Sequence, residues 1–255
     1  MLHTISLNKL RKELEPTKAL YEWIHTEYVN KVIDYAKLPK SEQEEIRKKL
    51  ETIALVMPSH SLLHLLDDTG FSDTIGSGTF AVELLSPAER GYVYHMLFDI
   101  YDLIIKPYQS NGESVIAQKA SDEGIGPKIF KLGKEGLVEE CINGTPFDMI
   151  CLHYSPAYCL DFLGGVSGEI YGRMHRNGFT YSRNKFYHAA EGPRHIILSE
   201  QGPRIIDFGV AVLSDKNEDF IAETDKVSAF FNKIFPEEIG LRIMQSFMRS
   251  YNKFR

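Results

Sequence analysis

The feature that most constrains this chain is an acidic residue placed directly after a short apolar strand. Residues 204–211 read Arg-Ile-Ile-Asp-Phe-Gly-Val-Ala, so two β-branched residues precede Asp207 and a glycine follows it two positions later. Residues 193–198 form a second short apolar strand, and Gly and Pro in the connecting residues predict a hairpin. The sequence therefore predicts a carboxylate held at a strand end beside a flexible turn.

Composition limits the class of protein to which such a site can belong. The chain has 255 residues, 43% of them hydrophobic and 25% charged, which is enough for one large core or two lobes. No apolar run approaches the roughly eighteen residues of a membrane span, and the first residues lack the pattern of a signal peptide. We therefore expect a cytoplasmic protein without a membrane partner. The net charge of −6 argues against a wholly basic nucleic-acid binder, so any anion site must be local.

The first seventy residues have a helical pattern. Apolar residues recur at helical spacing in residues 7–14 and 18–36. Ser41 followed by Glu44 predicts a capping box at the start of the next helix, and Ser59 predicts the cap of another short helix. We interpret this segment as a helical N-terminal extension.

Two glycine-containing loops compete as the first turn of the sheet that follows. Residues 75–82 contain Gly-Ser-Gly, a pattern found in phosphate-binding loops. The best candidate for a lysine on the second strand after such a loop is Lys106, which lies thirty residues after Gly76. Two short strands and one turn need only about twenty residues. The alternative takes residues 86–91 as the loop between strands at 80–85 and 92–98. We favour this second loop because its spacing fits.

Two charged residues, Lys106 and then Glu113, follow these strands in the sequence. Lys106 ends an apolar strand, where lysines are rare unless they are paired. Glu113 begins a predicted helix that ends at Gly124. The alternative is an edge lysine whose ammonium reaches solvent and a solvated glutamate.

The order of these elements resembles the protein-kinase-like fold. It consists of strand, loop, strand with Lys106 and helix with Glu113, followed by Gly-Ile-Gly-Pro at 124–127, Leu-Val-Glu-Glu-Cys-Ile-Asn-Gly at 137–144 and Ile-Ile-Asp-Phe-Gly at 205–209. Only 46 residues follow Gly209. The chain is therefore most similar to the small RIO-type and archaeal kinases, and among them to archaeal kinases that phosphorylate a ribose 2′-hydroxyl of tRNA.

This resemblance implies an α+β, two-lobed fold of the RIO type with a trimmed C-lobe and an added helical N-terminal segment. The expected domains are the extension at 1–72, the N-lobe with its hinge at 73–144 and the C-lobe at 145–255. The expected cofactors are ATP and Mg²⁺. The resemblance assigns the metal to Asp207 and His195, the ATP phosphates to Glu89, Arg90, Gly91 and Lys106, the positioning of that lysine to Glu113, and the adenine to the backbone of Glu140 and Ile142.

The expected catalytic loop departs from the family pattern. Most relatives have His-x-Asp-x-x-x-x-Asn before the metal-binding aspartate. Here His195 occupies the asparagine position and Ala190 the aspartate position. Glu191 is then the nearest carboxylate that could orient an acceptor hydroxyl. The alternatives are a surface glutamate in a turn, and a chain whose Ala190 marks an inactive form.

A basic and aromatic segment suggests the substrate. Residues 171–195 contain five Arg and Lys against one acid, interleaved with three histidines and with the aromatic residues Phe179, Tyr181, Phe186 and Tyr187. Such a segment predicts a polyanionic substrate, most simply RNA, bound by Arg183, Lys185 and Arg194. In the alternative interpretation Arg173 and His175 face solvent and the rings belong to the core. A Ser/Thr protein kinase acting on a protein substrate, and a pseudokinase that serves as a nucleotide-dependent binding module, also remain open.

The C-terminal region is predicted to form two amphipathic helices, at 220–235 and 237–254. Glu223 is expected to be a surface charge on the first of them.

Overall fold

The computed structural model describes residues 2–24, 35–88, 90–153, 156–181 and 195–255. The chain divides into two compact units, residues 1–107 with 131–138 and residues 108–130 with 139–255. Each contains helices and antiparallel strands, so the predicted α+β class is confirmed. Among the described residues, no helix is both long and apolar enough to cross a membrane.

The first unit contains most of a six-stranded sheet, of which residues 129–130 and 139–140 are assigned to the second unit. Its strands are β1 (His3–Ser6), β2 (Thr79–Ala88), β3 (Gly91–Phe98), β4 (Tyr101–Pro107), β5 (Ile129–Leu132) and β6 (Gly136–Glu140). Their order in the sheet is β1-β2-β3-β4-β6-β5. In the antiparallel ladders Glu83 lies opposite His95, and Leu97 lies opposite Asp102. Because side chains alternate along a strand, the three polar residues Glu83, His95 and Asp102 share one face of the sheet.

Four of the described α-helices belong to this unit. They are α1 (Leu7–Leu14), α2 (Lys18–Trp23), α3 (Lys40–Asp68) and α4 (Phe71–Ile75). α3 packs against β3 and β4, and buries Leu62, Leu65 and Leu66. The N-terminal segment is therefore part of the core of the first unit.

The long helix α3 corrects two predictions. It begins at Lys40 after Pro39, so Ser41 lies inside the first turn and is not the cap. It also runs without a break through Pro58, so the separate helix predicted from Ser59 is wrong. A proline inside a helix costs about 3 kcal/mol, and leucines buried beyond Pro58 offset that cost.

Two features of the sheet also differ from expectation. The strand β1 was not predicted, and it pairs with β2 so that Ile5 lies opposite Phe80. The β2–β3 ladder continues to the pair Ala88 and Gly91, so residues 86–88 and 91, predicted as part of the loop, belong to the strands. A bulge between Leu84 and Ser86 absorbs the change of register.

The second unit is mainly helical. Its helices are α5 (Glu113–Asp122), α6 (Phe147–His153), α7 (Pro156–Arg176), α8 (Asn217–Ile234) and α9 (Glu237–Phe254), which include both predicted C-terminal helices. Its short strands are β7 (Thr145–Pro146), β8 (Phe179–Thr180), β9 (Ile196–Ser199), β10 (Gly202–Ile205) and β11 (Val212–Leu213). β9 pairs with both β7 and β10, and β8 pairs with β11.

α7 and α9 approach each other closely through three glycines of α7. A Cβ atom added to Gly164 or Gly168 would lie 2.3 Å from a backbone carbonyl oxygen of α9, that of Ile243 or Phe247. At Gly172 the corresponding distance, to the Tyr251 oxygen, is 2.8 Å. Since van der Waals contact needs more than 3 Å, only glycine fits along this line.

Candidate functional site

The β9–β10 hairpin brings Asp207 and His195 together. Ile205 pairs with Ile196, and the amide of Ile206 then donates to the carbonyl of His195 at 2.9 Å. This contact extends the hairpin by one step beyond β10. As a result Nδ1 of His195 lies 3.8 Å from Oδ2 of Asp207.

Asp207 has a backbone conformation that is rare for a residue other than glycine. Its φ is 60° and its ψ is 77°, in the left-handed region. Oδ1 accepts the Gly209 amide at 3.4 Å, and the side chain remains 54% exposed. The turn therefore presents the carboxylate to solvent instead of burying it. Such strained residues often occur at functional sites.

The loop after α5 holds the hairpin in place. The guanidinium of Arg204 donates to the carbonyl of Gly124. The amide of Ile205 donates to the carbonyl of Ile125 at 2.6 Å. Two contacts therefore fix the end of β10 just before Asp207.

The residues after Asp207 pack against the start of α5. Phe208 is fully buried, and a Cβ on Gly209 would lie 2.7 Å from Cβ of Gln109. The Gln109 amide donates to Oε2 of Glu113 at 2.6 Å, and Glu113 is itself fully buried. The structure therefore places Glu113 and Asp207 in the same unit, connected through Gln109 and Gly209.

Tyr181 lies under this turn. Its hydroxyl hydrogen is shared between the carbonyls of Ile206, at 2.9 Å, and of Asp207, and its ring lies 5.2 Å from that of His195. Burial raises the pKa of Tyr181 well above its usual range, and nearby carboxylates, led by Asp207, raise it further. The phenol therefore stays protonated and acts as a donor.

The donor set around Asp207 suits a magnesium ion in part. Mg²⁺ prefers carboxylate and water oxygens, and Asp207 supplies an accessible carboxylate. Imidazole nitrogen is a better ligand for softer metals, so His195 fits Mg²⁺ less well. At 3.8 Å from Oδ2, its ring suits a role in orienting the carboxylate or contacting a phosphate.

The predicted phosphate-binding residues lie in the first unit. Lys106 is 8% exposed near the end of β4. Arg90 is an exposed turn residue, and Gly91 begins β3. Glu89 lies outside the described residues.

The predicted adenine-binding backbone is partly occupied. The Glu140 amide donates to the Lys128 carbonyl at 2.9 Å, and the Glu140 carboxylate accepts the Lys128 amide at 3.1 Å. The amide of Glu140 therefore cannot also bind a base. An adenine would need the Glu140 carbonyl or the Ile142 amide.

Two arginines of the basic segment at 171–195 are neutralised by ion pairs within the protein. Arg173 pairs with Glu169 at 2.8 Å, and Arg176 pairs with Glu123 at 2.7 Å. Phe179 and Tyr181 are buried and cannot stack on bases. The predicted substrate residues Arg183, Lys185 and Arg194, together with Glu191 and Ala190, lie outside the described residues.

Two residues that support the site are buried. Glu223, which was expected to be a surface charge, is 3% exposed, and His175, which only the alternative interpretation placed in solvent, is 4% exposed. Glu223 lies on the same face of α8 as Phe220 and Val227, three and four residues away. An acid on the apolar face of an amphipathic helix is the signal that could have identified a buried pair.

Comparison with known proteins does not assign this site. No protein-family model matches the chain, and no match is found among curated proteins. The interpretation of the site therefore rests on its own geometry.

Proposed function

We propose that this protein is a kinase that transfers the γ-phosphoryl group of ATP to a hydroxyl group. The observation that supports this most is the accessible carboxylate of Asp207. It follows a β-hairpin in a left-handed turn, lies 3.8 Å from His195 and belongs to the same unit as the buried Glu113. Kinases use such a carboxylate to hold Mg²⁺ on the phosphates of ATP.

The proposal gives each predicted site residue a role. Asp207 holds Mg²⁺, which when bound neutralises charge on the transferred phosphoryl group. His195 orients the Asp207 carboxylate or contacts a phosphate. Lys106 binds ATP phosphates, and Glu113 positions it. The sheet of the first unit is the N-lobe of a two-lobed RIO-type fold, and the helices of the second unit form its trimmed C-lobe.

RNA is the proposed acceptor, through a ribose 2′-hydroxyl. The support comes from the sequence of residues 182–194, which adds Arg183, Lys185 and Arg194 in a chain of net charge −6. A local cluster of this kind favours a polyanion over a neutral peptide. Because Arg173 and Arg176 are already paired, the proposed RNA contact depends on these three residues.

The decisive experiment is transfer of label from γ-labelled ATP, with Mg²⁺, to a tRNA pool and in parallel to general protein substrates. Asp207→Asn should reduce transfer at least about 100-fold, because the amide is a poor magnesium ligand. Asp215→Asn is the matched control, since Asp215 is an exposed acid a few residues further along the chain. It should leave transfer unchanged.

Each outcome separates the candidate functions. Label in RNA that disappears in Asp207→Asn supports an RNA kinase, whereas label only in protein supports a Ser/Thr protein kinase. ATP binding without transfer indicates a pseudokinase. Equal transfer by Asp207→Asn and the wild type would place the active site elsewhere.

A further inference from the structure

A buried histidine–carboxylate pair, His175 with Glu223, lies next to Tyr181. Glu223 of α8 points one carboxylate oxygen at Nε2 of His175, at 2.6 Å, and the other accepts the backbone amide of Tyr181 at 2.7 Å. Glu223 therefore joins α7 to the chain at β8.

His175 is itself held on every side. Its Nδ1 lies 2.7 Å from the Tyr251 hydroxyl of α9, and its ring stacks on Phe220 with centroids 4.4 Å apart. Tyr171 meets the same ring edge-on. The histidine side chain is fully buried, so it cannot turn away from Glu223 without disturbing three helices.

The other end of this network reaches Asp207. The single hydrogen of the Tyr181 hydroxyl is shared between the carbonyls of Ile206 and Asp207. These two carbonyls belong to the peptide groups on either side of the Asp207 Cα atom. A single phenol therefore holds both peptide planes that define the left-handed conformation of Asp207.

We propose that Glu223 and His175 are positioning residues for the Asp207 carboxylate and act on it through Tyr181. The pair fixes the Tyr181 backbone, and Tyr181 fixes the peptide planes around Asp207. The proposed metal function of Asp207 rests on the kinase assignment, whereas the positioning itself does not. Such partners of a metal ligand commonly change metal affinity without touching the metal.

Three observations support a role of Glu223 and His175 beyond packing. Burying a carboxylate is unfavourable, and apolar residues would fill the same space at less cost. A left-handed residue other than glycine persists only where its surroundings enforce it. Both oxygens of Glu223 are used, one for His175 and one for the segment that carries Tyr181.

Tyr181→Phe tests the proposal because it removes one hydroxyl and keeps the ring. Hydrogen exchange should become about tenfold faster in the peptide that covers residues 206–211, since these amides lose their support. Mn²⁺ binding, followed by electron paramagnetic resonance of the free ion, should weaken about tenfold. Glu223→Gln keeps an oxygen for the Tyr181 amide and should show the same changes to a smaller degree.

Tyr171→Phe is the matched control, since it removes a buried phenol from the same region. It should change neither exchange at 206–211 nor Mn²⁺ binding. If Tyr171→Phe produces the same changes, the effect is a general loosening and the proposal is wrong. Unchanged exchange in Tyr181→Phe also overturns it, and an effect of Tyr181→Phe without any effect of Glu223→Gln removes Glu223 from the assignment.

Failure of the kinase assignment has a different signature. If the wild type and Asp207→Asn bind Mn²⁺ equally, Asp207 is not a metal ligand. Exchange at residues 206–211 in Tyr181→Phe then still decides whether Tyr181 and Glu223 position the turn.

Discussion

Two histidine–carboxylate contacts in this protein have the same length and different surroundings. His175 and Glu223 lie 2.6 Å apart with side chains 0% and 4% exposed. His95 and Asp102 also lie 2.6 Å apart, with side chains 19% and 36% exposed, and Nδ1 of His95 is 3.3 Å from Glu83. The first contact lies among three helices, and the second lies on a sheet face.

The comparison shows that burial, more than distance, determines what a pair of this kind does. An exposed partner is replaced by water when it is lost, whereas a buried partner leaves an unpaired polar group. The buried pair should therefore make the tertiary structure depend on both members. The half-exposed pair should mainly make stability depend on pH.

Glu223→Ala should have the largest effect. It leaves His175 Nε2 and the Tyr181 amide buried without their partner, which typically costs about 3–5 kcal/mol. The free energy of unfolding in urea measures this loss. Glu218→Ala, an exposed acid in the first turn of the same helix, should lose less than about 1 kcal/mol.

Replacing both members sharpens the test. The double variant His175→Leu with Glu223→Met removes His175 together with the acid, so that only the Tyr181 amide is left without its partner, and it should lose less stability than Glu223→Ala. A loss below about 1 kcal/mol in Glu223→Ala would contradict the view that burial controls this pair.

Asp102→Asn should have a smaller effect that depends on pH. Burial lowers the pKa of His95, but hydrogen bonds to Asp102 and Glu83 raise it more, so the net pKa lies above its ordinary 6.5. A raised histidine pKa stabilises the fold fully below the unfolded pKa, and this contribution is lost as the pH rises through the folded pKa. The variant should therefore lose about 1 kcal/mol or less at pH 6, and still less at pH 8.5.

Urea unfolding of both proteins at the two pH values measures the difference. In a His95→Gln background the same Asp102→Asn change should have no such dependence on pH. An effect equal at both pH values, or larger at pH 8.5, would show that His95 does not carry it.

Asp161→Asn should have the smallest effect. Asp161 pairs with Arg249 at 2.8 Å, but the two side chains are 85% and 71% exposed. The Asp161 carbonyl, which accepts the Ser246 hydroxyl, is unchanged by the substitution. The Tm measured by calorimetry should shift by less than about 2 °C, and a larger loss would show that a fully exposed pair can matter as much as the sheet pair.

Local patterns predicted the parts of the fold that local chemistry controls. Strand pattern and turn residues predicted the hairpin before Asp207, and the structure places His195 beside it as the sequence order suggested. The two C-terminal helices were also predicted from their periodicity, and the first differs from its prediction by three residues at its start and one at its end. In these segments the residues that form the element are also its neighbours in sequence.

Distant contacts explain the predictions that failed. α3 continues through Pro58 because the leucines after it pack with residues of β3 and β4, which lie far along the chain. β1 is too short and polar to be predicted alone, and exists as the partner of β2. Glu223 was read as a surface charge because its partners, His175 and the Tyr181 amide, are more than 40 residues away.

The glycines of α7 have a consequence for tracing the ancestry of this protein. At Gly164, Gly168 and Gly172 no side chain fits against the carbonyls of α9. Steric clash therefore prevents the substitution of these glycines, which are spaced four residues apart. Relatives whose overall sequence has diverged beyond recognition should still keep this spacing on the helix before the Asp207 hairpin. The three glycines together with Asp-Phe-Gly would then form a search pattern set by steric necessity, which remains usable where family models find no match.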